Sequence, residues 1–126
     1  MFIGESTEMY LEKILILSKK GEVRSVDVAL ATGFSKPTIS EQMKRLREHN
    51  LVDMDEHNRI SLTEEGRNIA EKIYERHQVL TGLFSELGVD PVTAEEDACR
   101  IEHYISDTTF EKLTERFRAR QKSEEK

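Results

Sequence analysis

The chain has 126 residues and a net charge of −6, with 37% apolar and 35% charged side chains, no Trp and two Pro. That length holds one domain or two small ones, and no apolar run approaches the roughly 20 residues of a membrane-spanning helix. The single Cys excludes an internal disulfide framework and fits a reducing compartment. The opening Met-Phe-Ile-Gly-Glu has no basic segment ahead of an apolar core, so no signal peptide is expected and the protein is read as cytoplasmic.

Acidity argues against a nucleic-acid partner until its distribution is considered. Residues 86–126 carry 11 acidic and 7 basic side chains, whereas residues 35–50 carry four basic (Lys36, Lys44, Arg45, Arg47) and two acidic (Glu41, Glu48). A locally basic segment on an acidic chain still offers a landing surface for phosphates.

Residues 6–19 read as a helix capped by Ser6 or Thr7, with Tyr10, Ile14 and Leu17 at helical spacing. Lys19-Lys20-Gly21 ends it, with positive charge in the last turn and Gly after. Ser25 caps a short second helix to Ala31, with Val26, Ala29 and Leu30 expected to face inward. Thr32-Gly33-Phe34 is a tight turn. Ser35 then caps a third helix that holds Pro37 in its first turn, where a missing N–H costs nothing. Ile39, Met43 and Leu46 form its buried stripe, and Asn50 ends it.

Two helices around a Gly-containing turn read as a helix-turn-helix, although an ordinary helical hairpin has the same pattern. The next residues favour the first reading. Leu51–Asp55 is extended, Glu56-His57-Asn58 is a polar turn, and Arg59–Leu62 alternates as a returning strand. A two-stranded ribbon directly after a helix-turn-helix is a wing.

Thr63 caps a long helix whose apolar face runs through Ile69, Ile73, Val79 and Leu80. Gly88 ends that segment. Asp90-Pro91 is a turn, and Thr93 is expected to cap the helix that carries Cys99. Ser106 or Asp107 breaks it, and a last helix runs over Phe110, Leu113 and Phe117. The expected fold is mainly α with a small β-wing. It has a winged helix-turn-helix at 1–63, an all-helical unit at 64–118 and a frayed charged tail at 119–126. The helical unit is small for an independent core, so a homodimer is expected to bury its apolar faces.

Cys99, Glu102 and His103 stand at i, i+3 and i+4, which on a helix is one face. Thiolate, carboxylate and imidazole together are a ligand set for a first-row transition metal. Each residue also has an ordinary role. Cys is commonly a small buried hydrophobe, Met9 fits as core filler, and His77 and Glu12 fit as solvated helix residues. His49 and His57 lack suitably spaced partners and read as surface residues.

Thr7-Glu8-Met9-Tyr10-Leu11, the helix start at Ser35–Ser40, His77, and Asp97-Ala98-Cys99-Arg100-Ile101-Glu102-His103 with Ser106-Asp107 together resemble the DtxR/MntR family of metal-dependent repressors. The resemblance covers about residues 5–117. It implies an N-terminal winged helix and a helical metal-binding and dimerisation domain, in the two-domain form without an SH3-like domain. It also implies a ligand set. Met9 and Cys99 match ligands of the iron type. Glu102, His103 and His77 match ligands of both types, and Glu12 matches one of the manganese type. Glu95 falls where iron-type members have an ancillary His, and Thr81 where they have an ancillary Glu.

Met9, Cys99, Glu102 and His103 are therefore expected to hold one ion, and His77 with Glu12 or Glu95 a second, giving one or two ions per subunit. Soft sulfur donors make Fe²⁺ the first choice. Mn²⁺ stays open through Glu12 and His77, and Zn²⁺, Co²⁺ or Ni²⁺ are expected to substitute. An ion with ligands in both domains would tie the DNA-reading head to the dimer body.

The expected activity is metal-dependent repression of metal-uptake genes at a palindromic DNA operator. The third helix would offer Ser35, Lys36, Pro37, Thr38, Glu41 and Gln42 to the major groove. Ser40 and Lys44 would meet phosphates, and Arg59 in the wing a phosphate or the minor groove. Iron-type members have Gln where this chain has Glu41, so a different operator is expected. One alternative is a metal-independent winged-helix regulator sensing a small molecule. No His-Glu-x-x-His, Gly-rich phosphate loop or nucleophile elbow is present, so an enzyme is not expected.

Overall fold

The computed structural model describes residues 4–124. Met1 to Ile3 of the N-terminal reading and residues 125–126 of the expected tail lie outside the described residues. The chain forms two compact units, residues 1–72 and 73–126.

The first unit contains α1 (Glu5–Ser18), β1 (Val23–Arg24), α2 (Ser25–Thr32), α3 (Lys36–Glu48), β2 (Val52–Met54), β3 (Arg59–Leu62) and the start of α4 (Glu64–Glu86). Its core is Tyr10, Leu11, Ile14, Leu15, Val28, Ile39, Met43, Leu46, Val52 and Ile60. Gly4, in extended backbone, is the N-cap of α1, and no side chain caps this end. Ser6 and Thr7 thus lie inside the first turn, contrary to their expected role. Glu5 and Glu8 supply the negative charge that a helix start favours.

Arg24, rather than Ser25, is the N-cap of α2, and the Asp27 carboxylate accepts its backbone N–H at 2.9 Å. The buried pair on α2 is Val28 and Ala29, while Val26 is 42% and Leu30 79% exposed. Five apolar residues in an eight-residue helix leave its periodicity degenerate, so of the three residues expected inward Ala29 is buried while Val26 and Leu30 face out and Val28 takes their place. Gly33 follows at φ 78°, donating its N–H to Ala29 O at 2.9 Å, and this left-handed turn sets α3 across α2. Ser35 caps α3 as expected, accepting from the Thr38 N–H at 3.3 Å, with Pro37 in the first turn.

The sheet has three strands, not two, in the order β1-β3-β2, all antiparallel. Val23 pairs with Ile60 and Arg24 with Arg59, while Val52 pairs with Leu62 and Met54 with Ile60. A two-residue strand carries no alternation, and only its pairing with distant β3 defines it. The wing turn is built by Asp55, whose Oδ1 accepts from the N–H groups of His57 (2.8 Å) and Arg59 (2.9 Å).

Thr63 fastens the start of α4. Its hydroxyl donates to Asn50 O at 2.8 Å and accepts from the Gly66 N–H at 3.1 Å, while its own N–H reaches Leu51 O at 3.2 Å. A Cβ on Gly66 would lie 2.0 Å from Leu51 O, so backbone touches backbone here and only Gly fits. This packing ties the start of α4 to the first unit, which runs to residue 72.

The second unit contains the rest of α4, α5 (Pro91–Ile101) and α6 (Asp107–Glu124). Asp90 caps α5, accepting from the Thr93 N–H at 3.0 Å, and Pro91 occupies the first helical position. Thr93 is therefore inside the helix rather than its cap. Ser106 Oγ accepts from the Thr109 N–H at 3.1 Å and starts α6 where a break is expected. α6 continues to Glu124, so residues 119–124 are helical where a frayed tail is expected. Ile73, Val79, Leu80, Ala94 and Ala98 are buried in this unit. No helix among the described residues is long and apolar enough to cross a membrane.

Candidate metal centre and nucleic-acid face

α4 carries His77 in its middle, on the turn between Ile73 and Leu80 that the core requires to face inward. α5 stops at Ile101, and Glu102 is its C-cap, with its N–H on Ala98 O at 2.9 Å. Glu102 and His103 therefore open the connection to α6. Glu102 is the centre of the cluster and is 0% exposed. Its Oε2 lies 2.9 Å from His77 Nδ1, and its Oε1 lies 3.4 Å from His103 Nε2. The His103 side chain is itself 3% exposed. A wholly buried carboxylate is costly unless it meets charge or strong donors. Here Oε1 has no hydrogen-bond partner.

Two imidazoles beside a buried carboxylate are the nitrogen and oxygen donors that divalent metals take, and His77 and Glu102 both belong to a grouping able to hold one. The residues present thus fit a metal ion.

The other expected ligands are placed as follows. Cys99 is exposed on α5, whereas Glu102, three residues on in the same helical register, is buried. Glu95 is exposed on α5. In the first unit, Glu12 is buried on α1 and Met9, one turn earlier, is half-buried. Glu102 meets both imidazoles, His77 from one expected ligand set and His103 from the other.

Sequence reasoning missed Arg76. It is 5% exposed, and its Nη1 donates to two backbone carbonyls, Glu102 O at 3.1 Å and Ile105 O at 2.7 Å. Its Nη2 pairs with the Asp107 carboxylate, and the guanidinium lies 5.3 Å from the Phe110 ring centroid. A charged residue at the inward register between Ile73 and Leu80 was the one available signal.

On α3, Ser35, Lys36, Pro37, Thr38, Ser40, Glu41 and Lys44 are exposed and Gln42 is half-buried, so the residues expected to meet DNA form the outer face of the helix. Glu41 pairs with Arg45 at 3.7 Å, one turn on. In the wing, Arg59 Nε lies 2.6 Å from Asp55 Oδ2 and its Nη1 lies 2.9 Å from Glu22 Oε1. Those bonds hold the Asp55 carboxyl below the usual range, chiefly through the Arg59 N–H, and raise Arg59 through Asp55 and then Glu22.

Comparison with known proteins agrees with both parts. The family profile described as "Iron dependent repressor, N-terminal DNA binding domain" matches residues 3–59, and the one described as "Iron dependent repressor, metal binding and dimerisation domain" matches residues 63–125. The transcriptional regulator MntR of Escherichia coli O6:H1 is 37% identical over 108 residues, 85% of this chain and 70% of that protein. An HTH-type transcriptional regulator of Methanocaldococcus jannaschii is 31% identical over 114 residues, 88% of this chain and 91% of that protein.

Among solved structures, a manganese-dependent transcriptional repressor in complex with manganese superposes with TM-score 0.80 at 28% identity, covering 88% of this chain and 52% of that one. The manganese regulator SloR gives TM-score 0.76 at 26% identity, covering 91% and 54%. The chain spans about half the length of these two solved structures. With both family profiles matched end to end along it, the chain belongs to the DtxR/MntR family of metal-dependent transcriptional repressors.

Proposed function

We propose that this chain is a homodimeric repressor that binds a palindromic DNA operator when Fe²⁺ or Mn²⁺ is plentiful, and so silences metal-uptake genes. The observation that carries the reading is the buried Glu102 carboxylate between the imidazoles of His77 and His103. The ion supplies fixed positive charge to that carboxylate. Met9 and Glu12 of the first unit and Cys99 are counted as further ligands on the strength of the family resemblance, with Glu95 as an ancillary candidate. One or two ions per subunit are consistent with that set.

Nitrogen and oxygen donors accept Mn²⁺ as well as Fe²⁺, and sulfur from Cys99 or Met9 is what would tip the choice to Fe²⁺. Cys99→Ala should then move the preference toward Mn²⁺. In the dimer, Leu87, Val92, Ile101 and Tyr104 supply exposed apolar surface on the second unit. The outer face of α3 enters the major groove, with the two recognition helices one DNA turn apart (about 34–36 Å). Ligands drawn from both units let the ion select the arrangement that meets this spacing, and apparent DNA affinity rises with the population of that arrangement. By linkage, DNA tightens metal binding by the same factor.

The test is operator binding by the full chain, with chelator and with each ion added back. Tight binding with Fe²⁺ or Mn²⁺ and weak binding with chelator is the expected result. Equal affinity under all conditions would overturn the reading.

A further inference from the structure

Arg76 lies next to His77 in sequence but makes none of the contacts expected of a metal ligand or a DNA contact. Its guanidinium is buried and reaches from α4 to the connection between α5 and α6. There it binds the carbonyls of Glu102 (3.1 Å) and Ile105 (2.7 Å), pairs with Asp107 and stacks over Phe110. These acceptors bracket the stretch that contains both Glu102 and His103. α5 ends at Ile101, and beyond it only turn bonds hold the backbone: Glu102 N–H to Ala98 O (2.9 Å), Tyr104 N–H to Ile101 O (2.9 Å) and Ile105 N–H to Ile101 O (3.2 Å). The last carbonyls of a helix are left without internal partners, and the Arg76 cation satisfies one of them where the helix dipole favours positive charge.

We propose that Arg76 is a positioning residue of the metal centre: by gripping the backbone at Glu102 and Ile105, it sets the carboxylate of Glu102 and the imidazole of His103 relative to His77. The grip depends on a planar fork that donates to several acceptors in fixed directions. Lysine carries the same charge as a single point and cannot hold two carbonyls and a carboxylate together. Asp107 holds the far side of the fork and Phe110 holds its face, so both act through Arg76. The inference rests on the metal reading above and adds to it the residue that fixes the ligand geometry.

The experiment compares Co²⁺ binding to the full-length wild type, Arg76→Lys, Asp107→Asn and Arg118→Ala, by calorimetry and by the visible absorption of bound Co²⁺. Circular dichroism establishes that each variant is folded at the working temperature. Arg118 pairs with Glu75 at 3.1 Å across the same two helices and serves as the control for a lost ion pair. Residues that orient metal ligands typically change affinity by about 10–100-fold. The expected result is a loss of that size in folded Arg76→Lys with an altered Co²⁺ spectrum, a smaller loss in Asp107→Asn, and wild-type behaviour in Arg118→Ala. Folded Arg76→Lys with wild-type affinity and spectrum would overturn the proposal. If Arg76→Lys does not fold, Asp107→Asn decides: weakened binding with an altered spectrum supports the grip, and wild-type binding overturns it. No Co²⁺ binding by the wild type would overturn the metal reading itself, an outcome distinct from the others.

Discussion

Glu102→Gln separates the cost of burying a charge from the benefit of binding an ion. Glutamine has the same shape, and its carbonyl oxygen can accept from the same His77 nitrogen that lies 2.9 Å from Oε2. Exchanging a charge-assisted bond for a neutral one gives up about 1 kcal/mol. Against that, a carboxylate at 0% exposure no longer needs to be taken out of water, which returns an amount of the same order or more. The metal-free variant should therefore be about as stable as the metal-free wild type, or more stable. With metal the sign reverses. An ion at 100 times its dissociation constant stabilises the wild type by about 2.7 kcal/mol, which for a chain of this size raises the Tm by roughly 10 °C. Glutamine offers the ion no charge, and most of that rise should vanish. The assay is a pair of thermal melts followed by circular dichroism, with chelator and with excess Co²⁺ or Mn²⁺. A Glu102→Gln protein whose melting point rises with metal as far as the wild type's would refute the assignment of Glu102 as the central ligand.

Three other outcomes are expected. Gly66→Ala gains about 0.5–1 kcal/mol from helix propensity but places a Cβ 2.0 Å from Leu51 O. Overpacking against backbone costs about 1–3 kcal/mol or more, so denaturant melts should show net destabilisation, and an unchanged midpoint would contradict the close approach. Lys36→Ala and Lys44→Ala should each lower the salt dependence of operator binding by about one in the slope of log affinity against log salt. Arg59→Ala should lower it less, because Asp55 and Glu22 already neutralise that guanidinium; a salt titration of all three variants measures this. Finally, the Thr93 N–H holds the Asp90 carboxyl below its usual pKa. A carboxyl lowered on folding stabilises the fold above its unfolded pKa of about 4 and loses that contribution as pH falls through the folded value. The gap in Tm between wild type and Asp90→Asn should therefore be present at pH 6 and close toward pH 3, and a gap that widens in acid would contradict the cap.

Much of the architecture was written locally in the chain. Ser35 with Pro37 announces the start of α3, the spacing of Ile39, Met43 and Leu46 fixes its buried side, and Glu56-His57-Asn58 marks the wing turn. Such signals are legible because caps, turns and helical stripes depend on residues within a few positions of one another. The chain positions of His77, Glu102 and His103, which the fold brings together, are marked in the sequence by the resemblance. Distant contacts decided the rest. Val23–Arg24 is a strand only because β3 pairs with it, and α2 turns Val28 inward rather than Leu30 because its composition leaves the choice to packing. In the centre itself, the connection that follows α5 is gripped by a guanidinium 26 residues away in sequence. No local pattern encodes that grip, and only the folded chain brings the buried Glu102 carboxylate beside two imidazoles while Cys99 is exposed.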